Sequence, residues 1–391
     1  MKQKKIRVGL VGAGFAGRAH SLAYSNVPMM YPGAPQVECI RLFDITQQLA
    51  EESASYLGWQ EGTDNWRDIT QKDDIDLVDI VTPNNAHAEI AIDAAKHGKH
   101  VFCEKPLADN AVSAKQMVEA VRETGCVNAV SFVYRLWPAV AFAKQLIDEG
   151  RIGKVLQFQA RFLHEFALDP RTPLAWRLDE KIAGSGSIGD IESHMIDMAR
   201  HLVGEIVAVN ARMQTFINQR PLPSSLGAAG QRGFGSEVSG ESSEYGNVRV
   251  DDAALLMVEF ENGTVGSIET NWMAAGHNNG LSFEVSGERG AIRFNWEHRT
   301  DLQVRLADDP PDLAGFRTIP MGPNHPEAAP YGTIPGFGMS QRDAFCITVH
   351  EVLDAIAHDR PARLDFFDGL RVCEVIDAAK RSSESGSWQS I

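Results

Sequence analysis

The sequence predicts an α/β protein of two parts: an N-terminal doubly wound parallel sheet, then an α+β domain built on a large, open, mainly antiparallel sheet. Residues 6–134 alternate short β-rich runs with helical stretches, the pattern of βαβ crossovers that cover both faces of a parallel sheet. From about residue 153 the apolar pattern changes to long alternating strands joined by hairpin signals, which parallel strands do not use. At 391 residues and 43% hydrophobic composition the chain has material for two cores. The expected division is 1–134 and 135–391, with the terminal helices free to pack back on the first part.

Taken in order, residues 6–11, 37–43, 77–81, 100–103 and 128–134 read as the strands of the first part, with helices starting near Gly14, Thr46, Ala86 and Asn110. In the second part, residues 155–166, 207–216, 254–260, 265–272, 282–286 and 291–296 read as strands. Asn262-Gly263 suits a two-residue type I′ turn, in which both central residues take positive φ. Residues 288–290 are a second turn. Residues 221–247 and 310–335, poor in apolar periodicity, read as long loops. Helices over 341–357 and 367–383 close the chain.

Bulk charge narrows the partners. A formal net charge of -15 supplies no basic field for nucleic acid or an anionic membrane. No apolar run approaches the roughly 20 residues of a spanning helix, and the first residues lead into a strand rather than a signal segment, so a cytoplasmic protein is expected. The five cysteines are scattered without a C-x-x-C pair, which fits reduced thiols. No His/Cys cluster has ligand spacing, so no metal is expected.

Gly12, Gly14 and Gly17 form a G-x-G-x-x-G array, with Phe15 and Ala16 inside it, where the first strand meets the first helix. There the array serves as a Rossmann phosphate cradle: a tight turn, close backbone approach to a pyrophosphate, and a helix N-terminus aimed at the anion. Asp44 closes the second strand, where a carboxylate accepts hydrogen bonds from an adenosine ribose diol and repels a 2′-phosphate, so NAD is the expected cofactor. Capping of the next helix is the alternative role for Asp44. Thr82, Pro83, Asn84 and His87 follow the third strand at the sheet's carboxyl edge, where cofactor contacts fall; His87 could equally sit in the first turn of its helix.

Glu104-Lys105-Pro106 leaves the fourth strand at that same edge. A lysine desolvated beside a cationic nicotinamide is suited to proton transfer, although Lys-Pro in a loop is also an ordinary solvated charge. Asp190 and His194 lie four apart after a Gly-rich stretch at a helix start, hence on one face. A capping Asp with a satisfied buried His would produce the same spacing.

In this order, the glycine array, Thr82-Pro83-Asn84, Glu104-Lys105-Pro106, Tyr134-Arg135, Trp176-Arg177 and Gly189-Asp190-x-x-x-His194 resemble the glucose-fructose oxidoreductase/inositol dehydrogenase family over nearly the whole chain. Within it, residues 19–24 and 182–190 look most like levoglucosan dehydrogenases. The resemblance implies that Lys105 bonds the reacting hydroxyl and a cofactor ribose, that His194 is the general base and that Asp190 orients substrate. It places Glu104, Lys105, Trp176 and Arg177 near the nicotinamide. Substrate would sit between the domains, touching Lys105, Tyr134, Arg135, His164, Asp190 and His194, with Glu165 adding to the polar lining. It implies a homodimer or homotetramer joined through the open sheet. The expected reaction oxidises a ring secondary alcohol of a polyhydroxylated small molecule. A biliverdin- or dihydrodiol-type reductase, which would favour an aromatic-lined cleft, and a non-catalytic NAD sensor are the other readings of the scaffold.

Overall fold

The first strand, β1 (Lys5–Val11), is buried along nearly all its length and forms the middle of a six-stranded parallel sheet. The computed structural model describes residues 5–223, 244–331 and 338–391. The other strands are β2 (Gln36–Phe43), β3 (Glu61–Thr63), β4 (Leu77–Ile80), β5 (His100–Cys103) and β6 (Asn128–Val130). Their order, β3-β2-β1-β4-β5-β6, reverses direction between β1 and β4. That reversal opens a crevice at the carboxyl ends of β1 and β4, where ligands of such sheets bind. Helices α1 (Phe15–Met30), α2 (Gln47–Leu57), α3 (Arg67–Thr70), α4 (Asn84–Lys96) and α5 (Ala111–Thr124) connect the strands.

The expected strand over 128–134 ends early, at Val130. Ser131 still donates to the Cys103 carbonyl at 2.9 Å, but the Phe132 amide turns back onto the Val130 carbonyl. A continuously buried apolar run has no period that distinguishes strand from packed turn. From here the chain enters α6 (Pro138–Asp148), and a short helix, α7 (Glu180–Ala183), comes later.

A nine-stranded sheet follows, in the order β16-β15-β14-β13-β7-β12-β11-β8-β17. It comprises β7 (Val155–Leu163), β8 (Ile206–Gln214), β11 (Ala253–Phe260), β12 (Val265–Asn271), β13 (Gly280–Gly287), β14 (Gly290–Asn295), β15 (Asp301–Leu306), β16 (Arg317–Pro320) and β17 (Gln389–Ser390). Among the described residues of this sheet, only β7 with β12 pairs in parallel. One face is buried under helices α8 (Ser193–Val203) and α10 (Phe366–Ser385), and strands such as β11 alternate strictly between buried and exposed residues. Helix α9 (Gln341–His358) returns to pack on α1, and α10 also touches α5.

Three turn and loop expectations change. Only Gly263 takes positive φ between β11 and β12, and Asn262 instead accepts the Thr264 amide and donates to the Val203 carbonyl, so a four-residue connection replaces the type I′ turn. The ends of the 221–247 segment pair as a ribbon, β9 (Gln219–Pro221) with β10 (Tyr245–Asn247), whereas 224–243 lie outside the described residues. Within 310–335 the structure forms β16, an edge strand too short and polar to show alternation; residues 332–337 lie outside the described residues.

Candidate active site

The crevice begins with glycine geometry. Gly12 has a φ of +115°, and a Cβ there would lie 2.9 Å from the Val81 carbonyl oxygen; a Cβ on Gly17 would lie 2.5 Å from the Gly12 carbonyl oxygen. Only glycine fits either place. No side chain caps α1 at Gly14, and its dipole turns a positive end toward the crevice. Phe15 is half exposed and Gly17 buried on that first turn, with Ala16 between them. A pyrophosphate fits this cradle.

Asp44 stands at the end of β2 and accepts the Ile45 amide at 2.7 Å through Oδ1. Thr46, not Asp44, caps α2. Thr82 follows β4, and its hydroxyl oxygen is buried without a partner among the described residues. Pro83 leads into α4, where the Asn84 amide donates to the Ala183 carbonyl at 2.9 Å and ties the two domains together. His87 sits in the first turn of α4, one of its two expected places, and is fully buried, with Nε2 2.9 Å from the Thr82 carbonyl and Nδ1 3.2 Å from that of Pro106.

Lys105 and Asp190 meet across the domains. Lys105 Nζ donates to the Asp190 backbone oxygen at 2.6 Å and to Oδ1 at 3.2 Å. Arg177 Nε reaches the same Oδ1 at 3.4 Å, and its guanidinium lies 4.3 Å from the Trp176 ring centre. Burial opposes the charge on Asp190, but Lys105 and Arg177 prevail and hold its carboxyl below the usual range. Burial, reinforced by the Lys105 ammonium, pushes His194 down to about 3, so its imidazole is neutral at ordinary pH. The Tyr134 ring meets His194 edge-on at 4.7 Å, with Phe132 and Phe162 beyond. His164, half-buried at the end of β7, is close enough for the Asp190 charge to act on it.

A π-helical turn, Ile188–Glu192, carries Asp190 into place before α8 begins at Ser193. The four-residue spacing therefore does not describe one α-helical face, because the wider turn alters the phase between Asp190 and His194. Asp251, absent from the sequence reading, anchors this turn: it accepts the Gly186 amide at 2.8 Å, the Ser187 hydroxyl at 2.7 Å and the Ile188 amide at 2.8 Å. Gln341 was also unforeseen. Its amide donates to the Tyr134 hydroxyl at 3.3 Å, and its side-chain oxygen is buried without a partner among the described residues. Neither residue belongs to a local motif, so only the folded arrangement identifies them.

Three further expected site residues have side chains engaged by the protein itself. Arg135 is buried, and its guanidinium is taken up by Asp197, Asp368 and the Arg363 carbonyl; it locks α8 to α10 and is not available to substrate. The Glu104 carboxylate turns inward to His20 and the Lys105 amide, leaving only its backbone near the crevice. Glu165 accepts the Gly276 amide at 2.7 Å, holding a loop beyond β12.

Comparison with known proteins gives the family. The family described as "Oxidoreductase family, NAD-binding Rossmann fold" matches residues 6–132, and "GFO/IDH/MocA C-terminal domain" matches 140–293. The chain belongs to the GFO/IDH/MocA oxidoreductase family. Among its relatives, the levoglucosan dehydrogenase of Pseudarthrobacter phenanthrenivorans is 43% identical over 99% of this chain and 98% of its own. The scyllo-inositol 2-dehydrogenase (NAD(+)) of Bacillus subtilis is 28% identical over 98% and 96%. A solved structure of levoglucosan dehydrogenase in complex with NADH and levoglucosan superposes with a TM-score of 0.93, at 42% identity, covering 99% of this chain and 100% of that one. As in the family, the parallel N-terminal sheet is joined to a large, mostly antiparallel second sheet. Among the described residues, no helix is long and apolar enough to cross a membrane.

Proposed function

We propose that this family member is an NAD-dependent dehydrogenase that oxidises a ring secondary alcohol of a sugar, a levoglucosan-like anhydrosugar or an inositol to the ketone. The observation that carries this reading is the cluster of Lys105, Asp190 and His194, in which Asp190 Oδ2 and His194 Nδ1 are buried without partners among the described residues. A polyol offers hydroxyls to such groups. An apolar alcohol would leave each of them unsatisfied, at about 1–3 kcal/mol.

When bound, NAD supplies the hydride acceptor. The Gly12–Gly17 turn and the α1 N-terminus would hold its pyrophosphate, Asp44 its adenosine ribose, and Thr82 with Trp176 and Arg177 its nicotinamide half. Lys105 bonds the reacting hydroxyl, and Asp190, kept ionised by its two cationic neighbours, accepts from an adjacent one. Neutral His194 takes the proton. An imidazole pushed to about 3 holds a proton poorly, so it relays the proton onward rather than storing it. Tyr134, His164 and Gln341 complete the wall against which the ring rests. A non-catalytic sensor would have no use for this cluster.

The same reading joins subunits through the exposed sheet face, where Leu255, Met257 and Val265 stand more than half exposed. Light scattering should then give a dimer or tetramer, and a monomer would count against it. Five free cysteines fit the reducing cytoplasm.

Initial rates of NADH formation with levoglucosan, glucose, myo-inositol, scyllo-inositol and simple alkanols test the substrate class. Activity with one or more of the rings is expected, and activity confined to the alkanols would overturn the proposal.

A further inference from the structure

A second charged cluster lies behind the active site, inside the parallel-sheet domain. His20 follows Gly17 by three residues on α1, so one turn carries the chain from the phosphate cradle to a fully buried imidazole. The ring stacks on Phe102 at 5.0 Å and meets Phe345 of α9 at 5.5 Å. Its Nδ1 lies 2.9 Å from Asp79 Oδ2, and its Nε2 lies 3.1 Å from Glu104 Oε1. The Tyr24 hydroxyl also donates to Asp79, at 2.9 Å. Ionised carboxylates only accept, so a ring with a carboxylate at each nitrogen carries hydrogen on both: it is an imidazolium.

The contacts continue into the active site. Glu104 Oε2 accepts the Lys105 backbone amide at 3.0 Å, and Lys105 Nζ bonds Asp190. We infer that His20 is a positioning residue for the reaction: by bridging Asp79 and Glu104, its imidazolium holds the Glu104 carboxylate on the Lys105 amide and so fixes the Lys105 ammonium against Asp190. The inference rests on the proposed role of Lys105 at the reacting hydroxyl.

The electrostatics agree with the geometry. Burial opposes the charge on His20, yet Asp79 and Glu104 raise it to about 10, and His20 in turn holds Glu104 at about 2 against its own burial. The other titratable groups nearby are neutral: burial pushes up the Tyr24 phenol and the Cys39 and Cys103 thiols. The charged pair is thus Glu104 and His20. Without the imidazolium, two carboxylates would share an apolar interior, one would be driven to take up a proton, and Glu104 would lose the donor that sets its orientation.

The test replaces the charge while keeping a donor. In His20→Gln, the kcat for a polyol should fall by about tenfold or more, with its KM and the NADH dissociation constant, read by fluorescence titration, within about threefold of the parent. The circular dichroism spectrum should be unchanged. In the parent, ¹⁵N NMR of His20 should show both ring nitrogens protonated up to about pH 9, given the folded value of about 10. That signal requires neither turnover nor a folded variant, so a failure of the substrate proposal, seen as a parent inactive on every polyol, leaves the clamp independently readable. A neutral His20 ring at neutral pH would overturn the inference, as would parent-like kcat in folded His20→Gln. A loss of NADH affinity matching the loss of kcat would also overturn it, by moving the role of His20 to the cofactor.

Discussion

Lys105 acts on two neighbours at once, which makes its replacement informative. Its ammonium helps to keep Asp190 ionised and, after burial, is the main force depressing His194. Lys105→Met should retain NADH affinity while turnover falls by about a hundredfold or more, the scale of a proton-transfer group. The sign of the pH effect follows. In the parent, burial and the Lys105 ammonium push His194 down to about 3, so its protonation should limit the rate only in strong acid; without the ammonium its pKa should rise, and the acid limb of the residual rate should move to higher pH. A limb at the parent's position would contradict this coupling. Lys105, Asp190 and His194 were named in the sequence through the ordered motifs that resemble the family, since neither Lys-Pro nor Asp-x-x-x-His is informative alone; the fold brings Lys105 onto Asp190. The partners of Arg135 were not legible: Asp197 and Asp368 lie 62 and 233 residues further along the chain, and no local pattern links them. The pairing of His20 with Asp79 and Glu104 was hidden for the same reason, although the Gly17-x-x-His20 spacing marks one turn of α1.

Among the elements, the π-helical turn before α8 is the one that carries Asp190 to Lys105, and Asp251 is its anchor. Removing that carboxylate leaves the Gly186 and Ile188 amides and the Ser187 hydroxyl without their acceptor, at about 1–3 kcal/mol for each buried group. Asp251→Ala should therefore lower the midpoint of thermal unfolding and, in the fraction that remains folded, reduce kcat by displacing Asp190. An unchanged midpoint would show that the collar carries no stability. Sequence periodicity found the long strands with alternating faces, because burial on one face imposes a period of two. It missed β3, β15 and β16, which are short or lie toward the sheet edges, and it read the approach to α8 as regular helix.

On the scale of the molecule, the site is a product of two domains meeting. Lys105 comes from the parallel sheet, whereas Asp190 and His194 come from the segment between β7 and β8 of the second sheet, and the Asn84 to Ala183 hydrogen bond holds the two sides in register. The two-sheet architecture was legible because a change from βαβ alternation to hairpins marks the boundary. The packing of the terminal helices back on the first part was also open to the sequence, but the choice of α1 as the partner of α9 was not, since an amphipathic helix does not specify which surface covers it. The central claim is that this junction removes hydride from a ring carbon whose hydroxyl lies on Lys105 and His194. The most direct measurement uses a polyol substrate deuterated at one ring carbon at a time, followed by mass spectrometry of the reduced cofactor. One ring carbon bearing a secondary alcohol should deliver its deuterium to NADH; deuterium arriving from no ring position would contradict the account.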